Sequence, residues 1–173
     1  ATLQEALDSL YAQTFQDFEI ILCEDGSKDD TYEIAKRNKE RHPNIVLLRN
    51  ERNLGLNKTL NNCLAVAKGE YIARMDGDDI SLPTRFEKEV NFLDTHPEFA
   101  IVSTPMIYFD ESGEFCRGCV RNQYPTKYDF IPSTPFCHAP CMVRAEAYYR
   151  VGGYSEDERL LRVEDYNLWF KMY

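Results

Sequence analysis

The sequence predicts an α/β fold in which a mostly parallel sheet is flanked by helices. Strand-length apolar runs alternate with amphipathic helical stretches three times between Thr2 and Met75, joined by short connections. The runs Phe18 to Cys23 and Tyr71 to Met75 are nearly continuous in apolar character, as parallel strands covered on both faces require. Carboxylates stand at both exits, Asp25 after the first run and Asp76-Gly77-Asp78-Asp79 after the other. Open α/β sheets bind ligands beyond the carboxyl ends of their strands, so these acids mark where a site is expected.

Each element follows from local pattern. Leu3, Ala6, Leu7 and Leu10 recur at helical spacing behind Thr2, and Gln13-Thr14 closes that first helix. After the strand Phe18 to Cys23, Asp29 or Asp30 is placed to cap a helix running to about His42, and Ile45 to Leu48 is the next strand. A helix carrying Leu56, Leu60, Leu64 and Ala67 stops at Gly69, ahead of the strand Tyr71 to Met75. Short strand–helix connections of this kind imply right-handed crossovers. Ser81-Leu82-Pro83 signals a helix start, and Phe86, Val90 and Leu93 form its apolar face up to His96-Pro97. Ala100 to Ser103 reads as a strand. Met106 to Phe109, with a turn at Glu111-Ser112-Gly113, reads as the first arm of a hairpin, and irregular chain rich in Cys, Tyr and Pro then extends to Phe136. A short helix over Ala145 to Val151 ends at Gly152-Gly153, and Val163 onward is a last helix bearing Leu168, Trp169 and Met172.

The chain has 173 residues, 43% of them hydrophobic, enough for one domain with a real core. We expect residues 1–82 and residues 83–173 to form two halves of that one domain. A net charge of -9 and a pI near 4.9 argue against a nucleic-acid partner, whose phosphates demand clustered Lys and Arg. No apolar run approaches the ~20 residues of a membrane span, and no signal peptide precedes Ala1. The sequence therefore reads as soluble and cytoplasmic. It starts and stops inside helices, which reads as an excised portion of a longer protein.

Three carboxylates within Asp76 to Asp79 suit a hard cation such as Mg²⁺ or Mn²⁺, which is commonly held by one or two carboxylates plus substrate phosphates. The bland alternative is an Asp/Gly turn in which Asp79 or Ser81 caps the next helix. Cys116 and Cys119 form a C-x2-C pair, and Cys137 and Cys141 a C-x3-C pair, an approximation to a zinc-ribbon spacing. The second pair is one residue longer than the usual form and sits among apolar residues, where free Cys behaves as a small hydrophobe. The expectation is that these four do not jointly hold zinc.

Taken in order, the motifs resemble those of the family 2 glycosyltransferases. They are Gln13-Thr14-Phe15 with Phe18-Glu19-Ile20-Ile21, Glu24-Asp25-Gly26-Ser27-x-Asp29-x-Thr31, and Asn53-x-Gly55-Leu56. Gly69 to Asp79 follows, then His138 within Pro135 to Arg144, Gly152-Gly153-Tyr154, and Glu164-Asp165-Tyr166-x-Leu168-Trp169. The resemblance covers nearly the whole chain, and the run Met75 to Pro83 is most similar to members that build bacterial surface polysaccharides. It implies a GT-A nucleotide-diphospho-sugar transferase fold, a UDP-sugar donor, a divalent cation (Mn²⁺ or Mg²⁺), inversion at the anomeric carbon, and a saccharide or lipid-linked saccharide acceptor. That acceptor implies peripheral contact with the inner face of a membrane. The family opens with a central strand of the type V-S-V-I-I-P-x-Y-N, and this sequence lacks it.

The resemblance also implies roles. Asp25 accepts the imide N–H of uracil, Asp76 touches the ribose or nucleotide, and Asp78 ligates the cation bridging the diphosphate. Asp79 supports or caps, and Arg74 offsets diphosphate charge better than Lys58, which lies on a solvated helix face. His138 faces the diphosphate or the metal, against the alternative of a structural histidine. Asp165 is the general base, against the alternative that Glu164-Asp165 only complement a helix dipole. Two rival readings stand: a nucleotide-sugar-binding module without transfer activity, which needs Asp25 and Asp78 but not Asp165, and a zinc-stabilised interaction domain built on the four cysteines.

Overall fold

The computed structural model describes residues 2–118, 122–160 and 162–173. Helix α1 (Thr2–Tyr11) buries Leu3, Ala6 and Leu7, the face its spacing predicts. Strands β1 (Ile20–Asp25) and β2 (Ile45–Asn50) pair in parallel from Ile20↔Ile45 to Asp25↔Asn50. Helix α2 (Thr31–Arg41) links them, and Ala35 packs with Leu3, Leu7, Ile20 and Ile45 in one core cluster. Asp30 is the N-cap residue but its side chain makes no capping bond; from one residue earlier, Asp29 Oδ1 accepts the Thr31 N–H at 3.1 Å. At the other end of α2 the His42 ring stacks on Tyr11, with centroids 3.7 Å apart.

Helix α3 (Leu56–Val66) leads to β3 (Tyr71–Ala73), and α4 (Arg85–Thr95) to β4 (Ile101–Ser103). Strands β5 (Ile107–Asp110) and β6 (Gly113–Arg117) form the expected hairpin. One strand lies outside the sequence reading: β7 (Cys141–Arg144), followed directly by α5 (Ala145–Val151) and later by α6 (Glu164–Met172). Strand β7 is central to its sheet, antiparallel to both β3 and β4. The parallel expectation therefore holds for β1–β2, while β3 joins an antiparallel ladder with a strand from the far end of the chain. Helix α4 also begins later than expected, at Arg85, so neither Asp79 nor Ser81 caps it; Ser81 is buried and bonded to Gln13 instead.

Around β7, Val143, Tyr148, Leu168 and Trp169 are almost fully buried, and a second cluster sets Phe86 and Leu93 against Met142. Side chains such as Val143 and Leu168 contribute about 1.5–3 kcal/mol each by leaving water, which ties α5 and α6 to the sheet. Strands β1 and β3 share no ladder. An apolar slot of about 600 Å³ separates them, lined by Leu7, Ile21, Leu60, Ile72, Phe86 and Tyr148 among others.

Candidate active site

At the end of β1 the Asp25 carboxylate is gripped by the loop before α3. Its Oδ1 accepts the Asn50 side-chain amide and the Leu54 N–H, each at 2.8 Å, and its Oδ2 accepts the Gly55 N–H at 3.1 Å. Burial pushes its pKa up, but hydrogen bonds from Leu54, Asn50, Thr59 and Gly55 outweigh that and hold it below the usual carboxylate value. Gly26 makes the turn possible. With φ +73° it would place a Cβ 2.6 Å from the Asn53 nitrogen, so only glycine allows this approach of the two loops. Glu24 is buried, pairs with the largely exposed Arg49 at 3.1 Å and accepts the Ser27 N–H.

At the end of β3 the chain leaves its ladder through the Arg74 N–H, which donates to Cys141 at 2.9 Å. The Arg74 side chain folds forward onto Asp76 in a two-pronged pair, Nη2–Oδ1 2.6 Å and Nη1–Oδ2 2.9 Å. Asp76 is thereby oriented and its charge partly met. Asp78 is exposed and accepts no hydrogen bond among the described residues. The Asp79 carboxyl is pushed above its ordinary pKa by burial and then by the charges of Asp76 and Asp78, the electrostatic consequence of three acids in one turn. A cavity of about 410 Å³ opens between the ends of β1 and β3, lined by Glu24, Thr59, Arg74, Asp76, Gly77 and Asp78 among others.

His138 lies on the β7 side. Its Nε2 is 2.8 Å from the Tyr154 hydroxyl, which is 3.4 Å from that of Tyr148, and its ring meets Trp169 edge-on at 5.7 Å. Burial first, and the Arg74 charge second, push its pKa down to about 3, so the ring is neutral and close enough to Arg74 to feel it. Asp165, in the first turn of α6, accepts the Tyr166 N–H at 2.7 Å, and its charge reaches the Tyr154 hydroxyl, held neutral chiefly by burial. Arg74, Asp76 and Asp78 thus share one cavity. His138 bonds the Tyr154 hydroxyl, which feels the charges of both Arg74 and Asp165, and Asp25 stands on the neighbouring strand end with its carboxylate engaged. Lys58 is exposed on α3.

Several functional supports escape the sequence reading. Asn61 holds the Gly153-Tyr154 turn against α3, its Oδ1 accepting the Tyr154 N–H and its Nδ2 donating to the Tyr154 carbonyl, both at 2.9 Å. One turn earlier, Asn57 Nδ2 donates to the Ser155 carbonyl at 2.6 Å. Their i, i+4 spacing on a helix was the available signal. Gln13 staples the chain after Asp79, its Nε2 donating to the Leu82 carbonyl at 2.9 Å and its Oε1 accepting the Phe86 N–H at 3.1 Å.

The residues fit a divalent cation of the hard class. No group of three or more His, Cys, Asp or Glu is arranged to hold a metal among the described residues; in the turn after β3 the exposed Asp78 has Asp76 and Asp79 beside it. That is the incomplete shell a cation fills with phosphate oxygens. Of the four clustered cysteines, Cys119 lies outside the described residues. Cys116 and Cys137 are exposed, and Cys141 is fully buried, its thiol pushed up to about 12 mainly by burial. Among the described residues no helix is long and apolar enough to cross a membrane.

The profile of glycosyl transferase family 2 matches residues 1–152. The chain is 41% identical over 174 residues to the putative glycosyltransferase EpsE of Bacillus subtilis, a match that takes in 99% of this chain and 62% of EpsE. It superposes on S. aureus TarS in complex with UDP with a TM-score of 0.79 at 21% identity, over 99% of this chain and 51% of that one. On the mannosyltransferase PcManGT from Pyrobaculum calidifontis in complex with GDP-Man and Mn²⁺ the TM-score is 0.73 at 22% identity, over 99% and 48%. These two likenesses establish the GT-A fold that the motifs imply. With the profile running from the start of the chain through the end of α5, and a relative of this identity aligned along nearly all of it, the chain belongs to glycosyl transferase family 2.

Proposed function

We propose that this chain carries the donor site and catalytic base of a cation-dependent inverting glycosyltransferase that uses a UDP-sugar to extend a saccharide or lipid-linked saccharide in polysaccharide biosynthesis. The observation that carries this reading is the cavity between the ends of β1 and β3, where the Arg74–Asp76 pair and the unpartnered Asp78 stand together. The UDP complex of TarS and the Mn²⁺ complex of PcManGT, on the same fold, support it.

Residues 1–82 supply the nucleotide contacts. Asp25, fixed by three internal hydrogen bonds, faces the uracil imide, and Asp76 faces the ribose. Arg74 Nε, buried and unpartnered among the described residues, is an N–H available to the diphosphate. Asp78 would hold Mn²⁺ or Mg²⁺, which when bound neutralises charge growing on the departing diphosphate. Neutral His138 contributes a polar but uncharged wall beside Arg74.

Residues 83–173 supply the acceptor side. Asp165 takes the proton of the acceptor hydroxyl as that oxygen attacks the anomeric carbon from the face opposite the nucleotide. The bond from the anomeric carbon to the diphosphate oxygen breaks in the same step, UDP leaves with the electron pair, and the configuration inverts. A panel of UDP-sugars and GDP-mannose with a polysaccharide-derived acceptor tests the reading. The expected result is UDP release with an inverted anomeric centre by NMR; retention, or turnover with GDP-mannose alone, contradicts it.

A further inference from the structure

We propose that Arg85, oriented by Glu89, is a positioning residue that fixes the entry of the Asp76–Asp79 loop and so sets the site's affinity for cation and nucleotide diphosphate. The inference rests on the reading of that loop as the cation and diphosphate site.

Both side chains are buried, with 8% of Arg85 and 1% of Glu89 exposed, in the layer where α4 packs on β7. Charge in such a place is costly unless it is fully used, and here it is used on backbone. Arg85 Nε donates to both Glu89 oxygens at 3.2 Å, and its Nη2 donates to the Arg74 carbonyl at 2.9 Å and reaches the Cys141 carbonyl at 3.5 Å.

The position of that carbonyl explains the expense. The β3–β7 ladder ends with the Arg74 N–H on Cys141, so the Arg74 carbonyl is the first group beyond the last rung. A buried carbonyl needs a partner, and Arg85 supplies it from the next helix. The chain can then leave the sheet at a fixed point. From that fixed backbone the Arg74 side chain reaches Asp76 at 2.6 and 2.9 Å. Gln13 pins the loop's far end at Leu82 and Phe86. Asp78 rides on a loop clamped at both ends, and the clamp at its entry is a charged pair that touches no ligand.

Groups that orient a metal's ligands typically alter metal affinity by about 10- to 100-fold when removed. The test compares Arg85→Met, Arg85→Lys and Glu89→Gln with the parent in two assays. Hydrogen exchange of the amides from residues 74 to 80 reads the loop directly without ligand, and calorimetric titration of UDP with Mn²⁺ reads the site. The expected result is faster exchange confined to that segment and UDP affinity with Mn²⁺ lowered about tenfold or more in Arg85→Met. Arg85→Lys, which keeps a donor for the Arg74 carbonyl, should recover most of both. Should Arg85→Met not fold, Glu89→Gln keeps the volume and one acceptor, and it should show a smaller effect of the same kind. Unchanged exchange at residues 74–80 in a folded variant, or a uniform loss of protection across α4 and β7 with no rescue by lysine, overturns the proposal. If exchange responds as expected but the parent binds no UDP with Mn²⁺, the clamp stands and the donor-site reading fails.

Discussion

Replacing Gly26 by alanine probes the joint that holds Asp25. The backbone there has φ +73°, a conformation that costs an L-residue about 1–2 kcal/mol. The new Cβ would also lie 2.6 Å from the Asn53 nitrogen and 2.7 Å from the Arg52 carbonyl carbon. Both obstacles are backbone, so a loop has to move, an overpacking cost of about 1–3 kcal/mol. Gly152→Ala is the control: φ is +76° at the end of α5, with nothing within 4 Å of the added carbon. Strain and the change in unfolded-chain entropy nearly cancel between the two variants. The difference in their unfolding free energies by urea denaturation isolates the contact, at about 1–3 kcal/mol in favour of Gly152→Ala. The displaced segment carries the Leu54 and Gly55 N–H donors of Asp25, so UDP affinity should fall in Gly26→Ala and not in Gly152→Ala. Equal destabilisation, or intact UDP binding in a destabilised Gly26→Ala, would refute the argument that this close approach shapes the nucleotide site.

Asn61→Ala leaves the Tyr154 N–H and carbonyl without their partners, and urea denaturation should show a loss of about 1–3 kcal/mol. Asp165→Asn should lower transfer by about a hundredfold or more with UDP and Mn²⁺ affinity nearly unchanged; a defect in UDP binding alone, by calorimetry, would make Asp165 a structural or donor-side residue. Stability against pH should show two opposed slopes. His138, lowered from 6.5 to about 3 by burial and then Arg74, contributes stability that is complete above about pH 6.5 and lost as pH falls toward 3. Glu89, raised from 4.5 to about 7 by burial against the pull of Arg85, contributes stability that is complete below about pH 4.5 and lost as pH rises through 7. Glu89→Gln should therefore leave stability rising more steeply with pH between 4.5 and 7, a slope that chemical denaturation at several pH values would reveal.

Much of the proposed donor side was legible in the sequence because its signals are local. The acids of Asp76 to Asp79 follow an apolar run directly, α1, α3 and α4 announce themselves through evenly spaced apolar residues, and α2 through the acids placed to cap it. Strand β7 was not legible: Cys141 to Arg144 is only four residues long, and its one cysteine, with Cys137 and two prolines just before it, carries metal and loop signals that compete with a strand reading. Its partners, β3 and β4, are brought to it by tertiary packing alone. Polar residues that fold inward were hidden for a related reason. Asn57 and Asn61 on α3, and Arg85 and Glu89 on α4, have the spacing of solvated helix faces; the first three turn inward onto backbone far away in the chain, and Glu89 follows Arg85. Arg74 was legible as a cation near the cluster, but its two-pronged hold on Asp76 requires the bend that follows β3.

The central claim is that the acids beyond β3 form a donor site completed by a cation. It is tested most directly by titrating UDP into the protein with Mn²⁺ and again with excess EDTA, in the parent and in Asp78→Ala. The account predicts UDP binding that depends on Mn²⁺ in the parent, and loss of that dependence in Asp78→Ala with an unchanged melting transition, because an exposed loop carboxylate contributes little to the core. Equal UDP affinity with Mn²⁺ and with EDTA, or an Asp78→Ala protein that binds UDP and Mn²⁺ like the parent, would contradict it.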